Sequence, residues 1–217
     1  LLYYLIKATV MLSSISSSNK RKFLYFTFTV IISIFIVDWL FYGILIKIHS
    51  KTFFGQTGGK IRYVLSKNNT FDIIAMGSSK TLHNINTGMI KNSFNLGHDG
   101  SSILSNLIIL DILEKNNKLP KKILLHTDPG LYFRPDSSYF YSGSDIDMVS
   151  VFYNESDIIK EHLKLDKGKW ILHEIFKTYA FNGKLLSIIK NFAKTTFSGN
   201  YKNAGYDPIP VSYTHLT

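Results

Sequence analysis

The sequence predicts an α/β fold: an N-terminal transmembrane helix followed by a parallel, doubly wound sheet. Three observations carry this expectation. Residues 23–46 form a run of 24 residues with a single charge, Asp38. Short apolar runs at residues 71–76, 93–96 and 123–125 alternate with helical patterns, as the strands of a parallel sheet do. Each run ends at a polar turn containing glycine: Gly77-Ser78-Ser79, Gly97-His98-Asp99-Gly100 and His126-Thr127-Asp128-Pro129-Gly130. In such sheets ligands bind beyond the carboxyl ends of the strands, so the three turns are expected to converge on one side.

At 217 residues, 45% hydrophobic and 18% charged, the chain can bury one sizeable core and carry an appendage. Its net charge of +10 raises nucleic acid as a partner, but the lysines are scattered rather than gathered into a stripe with interleaved aromatics. They read as a solvated surface attracted to an anionic envelope or membrane, and no nucleic acid is expected. The absence of cysteine excludes disulfides, thiolate metal sites and a cysteine nucleophile.

Both ends have features of their own. Met11, followed by a polar stretch, a basic triplet and the apolar run, has the pattern of a natural start, which makes residues 1–10 upstream translation. Residues 211–217 resemble a translated sequencing adaptor and are set aside from fold reasoning, His215 included. On that reading the α/β domain of residues 71–210 is incomplete.

Residues 23–46 are long enough to cross a hydrocarbon core of about 30 Å with some tilt. Lys20, Arg21 and Lys22 precede them and no small-residue cleavage site follows. An uncleaved anchor with residues 1–22 in the cytoplasm and the α/β domain outside fits this pattern. Asp38 is costly at the bilayer centre. Two readings stand for it: a polar contact with a partner membrane protein, or a place at the interface beside Trp39 and Tyr42. Residues 47–70 then form a linker broken by Gly55, Gly58 and Gly59, with a short juxtamembrane helix at 60–67.

The run Phe-Asp-Ile-Ile-Ala-Met at 71–76 lacks alternation, as expected of a strand buried on both faces. In the helical pattern of residues 102–115, Ile103, Leu107, Leu110 and Leu113 recur at helical spacing, and Pro120 precedes the third strand. Farther on, residues 156–163, 169–179 and 183–193 read as helices, the last with Leu185, Leu186, Ile188 and Ile189 as a core stripe.

Over residues 71–133 the sequence resembles the SGNH (GDSL-like) hydrolase superfamily, in particular its membrane-anchored branch that acts on acyl groups of cell-envelope polymers. The resemblance implies a flavodoxin-like parallel sheet and a serine nucleophile in the turn after the first strand. Gly77-Ser78-Ser79 matches that turn, with Ser78 in place of the acidic residue, and assigns the nucleophile role to Ser79. Asn95-Leu96-Gly97-His98-Asp99-Gly100 fits the second block, in which Gly100 supplies an oxyanion-hole N–H. At the third block Thr127-Asp128 stands where the family has asparagine then aspartate, so Asp128 matches and the asparagine donor is absent. The closing D-x-x-H block, which carries the base and its acid, occurs nowhere in the 217 residues. The resemblance implies no cofactor and no metal.

The chemistry explains why these residue types matter. A serine hydroxyl attacks an acyl carbon when a base takes its proton and fixed N–H donors hold the oxyanion, each donor worth about 2.7 to 4 kcal/mol. His98 lies on a turn expected to face the ligand and is a candidate contributor. His83, four residues after Ser79, and His126 read as packing or surface groups. A helix N-cap is the commoner use of serine at such a position. A phosphate loop is a poor fit, because no glycine directly precedes Lys80.

Residues 131–153 hold seven tyrosine and phenylalanine residues among Asp136, Asp145 and Asp147, a composition that suits a lid over a glycan and equally suits ordinary loop packing. The expected activity is that of an envelope serine esterase or O-acyltransferase acting on an acylated glycan, with this length of chain inactive by itself. The other reading is an inert module that binds glycan or assembles with membrane proteins of a polysaccharide pathway.

Overall fold

The computed structural model describes residues 17–66, 71–126, 146, 148–165, 167–198 and 204–209. It is an α/β structure with one long apolar N-terminal helix and a small parallel sheet. Helix α1 (Ser17–Ser50) is one uninterrupted rod of 34 residues, and its stretch Asn19–Ser50 is long and apolar enough to cross a membrane. Its last turns belong to the folded domain: Leu45 and His49 are buried, and Tyr42, Ile46 and Ile48 pack against the core.

After α1 come α2 (Gly59–Ser66), β1 (Ile73–Met76), α3 (Ser79–Asn84) and β2 (Ser93–Asn95), then α4 (Ile103–Lys115) and β3 (Lys122–Leu125). The strands run parallel in the order β2-β1-β3, with Ile74 opposite both Phe94 and Ile123. The chain therefore steps from β1 to one side, then returns across β1 to the other. The crevice between β1 and β3, where the direction of winding reverses, is where such sheets bind ligands.

β1 is buried as its unbroken apolar run requires, with Ile74, Ala75 and Met76 all fully inside. β3 differs: Ile123, Leu124 and Leu125 are each 40 to 46% exposed, because among the described residues β3 is an edge strand that nothing covers. α4 forms where its sequence predicts, begun by a capping box in which Ser102 and Ser105 bond each other's backbone N–H. Its buried face is Ile108, Ile109, Ile112 and Leu113; of the residues at helical spacing Leu113 is buried, Leu110 packs against the core and Leu107 is 49% exposed. With apolar residues nearly all round this helix, spacing alone does not choose the face.

α2 is buried along Ile61, Tyr63 and Val64. Arg62 on the same helix grips Glu155 with two guanidinium nitrogens and lies 4.5 Å over the Phe152 ring. Phe152 and Tyr153, the described end of the aromatic segment, are core residues. The rest of that segment falls largely outside the described residues, so the lid reading does too.

Helices α5 (Asp157–Leu163), α6 (Lys167–Ile175) and α7 (Leu185–Ser198) follow, with a 3-10 turn at Lys177–Phe181 between the last two. The predicted core stripe of α7 is overturned. Ile188 alone of the four is buried, while Leu186 is 84% exposed. α7 instead meets the domain through polar side chains: Ser187 Oγ lies 2.8 Å from Thr57 Oγ1, and Thr195 Oγ1 accepts the Phe53 N–H at 2.9 Å.

Asp38 has its partner in its own chain. Its carboxylate accepts the backbone N–H of Lys177 at 2.8 Å and of Thr178 at 3.2 Å, and takes the Thr178 hydroxyl as well. It caps the 3-10 turn from outside, as an N-cap side chain would from within.

Candidate active site

Ser79 is the first residue of α3, half-buried, directly beyond the carboxyl end of the central strand. The capping position belongs to Ser78, whose side chain makes no cap bond. The turn is instead held by the Ser78 carbonyl, which accepts from Thr81 N at 2.9 Å and Leu82 N at 3.1 Å. The serine pair is thus not used as a helix cap, and among the described residues no hydrogen bond occupies the Ser79 hydroxyl.

Gly77 makes the turn possible. Its φ is +144°, and a Cβ there would lie 2.3 Å from Thr81 Oγ1 and 3.0 Å from the His126 carbonyl oxygen. Gly97 is as tightly placed, since a Cβ would approach Leu82 N to 2.7 Å. The Gly97 turn therefore lies directly on α3, tied by His98 N to the Gly77 carbonyl at 3.1 Å. Fully buried Asn95 completes the tie. Its amide donates to the Thr81 and Ile85 carbonyls at 2.8 and 2.9 Å, and its oxygen accepts from Gly97 N at 2.8 Å. Gly100 is exposed with φ +69° and open space around an added Cβ.

The histidines divide. His98 is buried, with Nδ1 2.6 Å from the Leu96 carbonyl. Burial first, and the nearby Lys60 ammonium second, lower its pKa to about 4, so the ring is neutral near pH 7. His83 faces Asp99, Nε2 to Oδ1 at 3.1 Å, while Nδ1 meets the Asp207 carbonyl. The Asp207 carbonyl and then Asp99 raise its pKa. Both ring nitrogens are thus engaged, one by a backbone carbonyl and one by a carboxylate.

His126 follows β3, and its backbone and Cβ are what a side chain at Gly77 would strike. It is half-buried, at the carboxyl end of β3 next to the Gly77 turn. Sequence reading set it aside; strand order is the signal that places it beside the serine turn. Thr127 and Asp128 lie outside the described residues.

Two further groups carried no sequence signal. Lys60, buried on α2, donates Nζ to the Gly97 carbonyl at 3.1 Å, and burial lowers its pKa to about 7. Gln56 brackets Asp99, donating to its carboxylate at 2.7 Å and accepting its N–H at 2.8 Å. These bonds, with His83 second, hold the Asp99 carboxyl below its usual pKa. Among the described residues no three His, Asp or Glu side chains gather as metal ligands. Two cavities of about 470 and 550 Å³ lie elsewhere, around His173 and along α1.

The arrangement presents a hydroxyl and a glycine turn beyond the carboxyl ends of β1 and β2. Comparison with protein families, curated proteins and solved structures found no match.

Proposed function

We propose that the chain is a membrane-anchored serine esterase or O-acyltransferase of the SGNH type, acting on acyl groups, acetyl foremost, of cell-envelope polysaccharide. The observation that carries this is the placement of Ser79: half-exposed, unbonded, released from capping, and at the carboxyl end of the central strand beside the switch point. The anchor of residues 23–46, preceded by Lys20, Arg21 and Lys22, puts the domain on the outer side of the membrane.

In this reading Ser79 Oγ attacks the acyl carbonyl carbon and its proton passes to a base. The N–H groups of Ser79 and Gly100 hold the oxyanion, and the sugar oxygen leaves with a proton. Water then releases the acyl group in an esterase, or a second sugar hydroxyl takes it in a transferase. His126, whose backbone adjoins the Gly77 turn, is the described histidine we assign to receive the serine proton, and Asp128 keeps its place in the family's third block.

A second reading is favoured by a specific observation: His83 spends both ring nitrogens, and His98 is buried with one engaged. An inert glycan-binding or assembly module needs no base. A fluorophosphonate probe on the full chain in detergent separates the two. Labelling that is lost in Ser79→Ala supports the enzyme. Equal labelling of both removes it, and retained binding of an acetylated glycan then supports the module.

A further inference from the structure

We propose that α6 and α7 rest on the lipid bilayer beside the anchor, so that the membrane surface runs at Asp38 and the outer face of α7 lies among headgroups and upper acyl chains. This rests on the membrane reading above and extends it, because it fixes how high the domain sits.

Length gives the first argument. The 34 residues of α1 make a rod of about 51 Å at 1.5 Å per residue, whereas a hydrocarbon core takes about 30 Å. Roughly 20 Å must stand outside. The end that stands outside is identified by its contacts, since Leu45 and His49 are buried in the domain. The apolar residues from Phe23 to Val37 make about 22 Å of helix inside the core, and Lys20, Arg21 and Lys22 in the preceding turn reach one interface. Asp38 and Trp39 stand at the other, where a carboxylate is tolerated and tryptophan is enriched.

The contacts of Asp38 give the second. By holding Lys177 and Thr178 it brings the 3-10 turn to the level of the interface, and Phe176 goes a turn deeper, stacked on Phe35 at 6.0 Å. A domain held at that depth meets lipid.

The third is the inversion of α7. Its inner face is Ser187, Asn191 and Thr195, and its outer face carries Leu185, Leu186, Ile189 and Phe197, exposed by 43 to 87%. On a helix facing water the sides would be exchanged. Exposed Lys190 flanks the outer stripe, as a cation does on a helix lying in an anionic interface. α6 adds Ile171, Leu172 and Ile175, all exposed. The apolar surface of the anchor thus continues onto both helices, which selects lipid as the occupant.

The chain has no cysteine, so single-cysteine nitroxide labels report depth directly. The full chain is reconstituted in vesicles of phosphatidylethanolamine and phosphatidylglycerol. Labels are placed at L186C and F197C on α7, I32C in the anchor and M89C, which is 84% exposed near β2. All four positions are exposed enough to leave packing intact. Labels at 186 and 197 are expected to favour oxygen over a water-soluble nickel chelate severalfold, as at 32, while 89 favours the chelate. If 186 and 197 behave as 89 while 32 stays in lipid, the docking is wrong and the anchor stands. If 32 also reads as aqueous, the membrane reading fails and the docking with it. Labels at 186 and 197 that are immobile and closed to both reagents mean a protein surface covers α7, which also overturns the proposal.

Discussion

His83 Nε2 stands 3.1 Å from Asp99 Oδ1 while its Nδ1 meets the Asp207 carbonyl, so one imidazole joins α3, the Gly97–Gly100 turn and the 204–209 segment. The joint is charge-dependent. The folded pKa of His83 is raised above 6.5, so its contribution is fully present below pH 6.5 and fades as pH rises through the folded value. The pair is half-exposed and its effect is screened.

Buried Lys60 works in the opposite direction on the same turn and outweighs it. Its pKa falls from 10.5 to about 7, with Asp99 and Asp207 as the acidic groups facing it. The unfolded chain therefore holds more protons between pH 7 and 10, and stability rises across that window by an amount on the order of a few kcal/mol. Thermal unfolding in detergent should show Tm rising with pH in the wild type. Lys60→Met should abolish the rise and leave the shallow alkaline loss due to His83.

Asn95 is a structural staple, and its three buried hydrogen bonds predict the cost of losing it. Asn95→Ala should destabilise by about 2 to 4 kcal/mol, because the Thr81 and Ile85 carbonyls and the Gly97 N–H are left without partners. Asn95→Asp should be no better, since it turns a carboxylate oxygen toward two carbonyls. Denaturant unfolding of both variants checks this, and an Asp variant as stable as wild type would refute the geometry.

The two glycines of the same turn should behave differently. Gly97→Ala drives a Cβ to within 2.7 Å of backbone nitrogen, an overpacking that should cost about 1 to 3 kcal/mol or more. Gly100→Ala meets no atom and carries only the strain of φ +69°, about 1 to 2 kcal/mol. Measured beside fluorophosphonate labelling, Gly100→Ala is the informative variant. A loss of labelling larger than its loss of stability points to an oxyanion N–H, and parallel losses point to a turn alone.

These variants mark how much the sequence disclosed. The long helix, the three strands and the turns after the first two were readable because each depends on local composition. The buried face of α7 was not. α7 keeps its apolar stripe away from the domain, so rules built on burial against protein chose the wrong side. Asn95 and Gly97 drew attention as parts of a chemical motif, and packing accounts for both, which leaves Gly100 as the position in that block still open to chemistry. His126 required the strand order. Asp38 and Lys177 are 139 positions apart, beyond the reach of any local pattern.

The Asp38 contact yields the last expectation. Asp38→Ala uncaps the Lys177 and Thr178 N–H groups and frees the Thr178 hydroxyl. An exposed cap is worth about 0.5 to 2 kcal/mol, and the loss should reach the upper end here because water competes poorly beside an apolar helix. At the interface the carboxylate costs little for insertion, so membrane-integrated yield should stay unchanged while Tm in detergent falls. Asp38→Asn, which keeps an acceptor oxygen without the charge, should recover most of the Tm. An Asn variant as unstable as the Ala variant would show that the charge, rather than the hydrogen bonds, holds the 3-10 turn to the anchor.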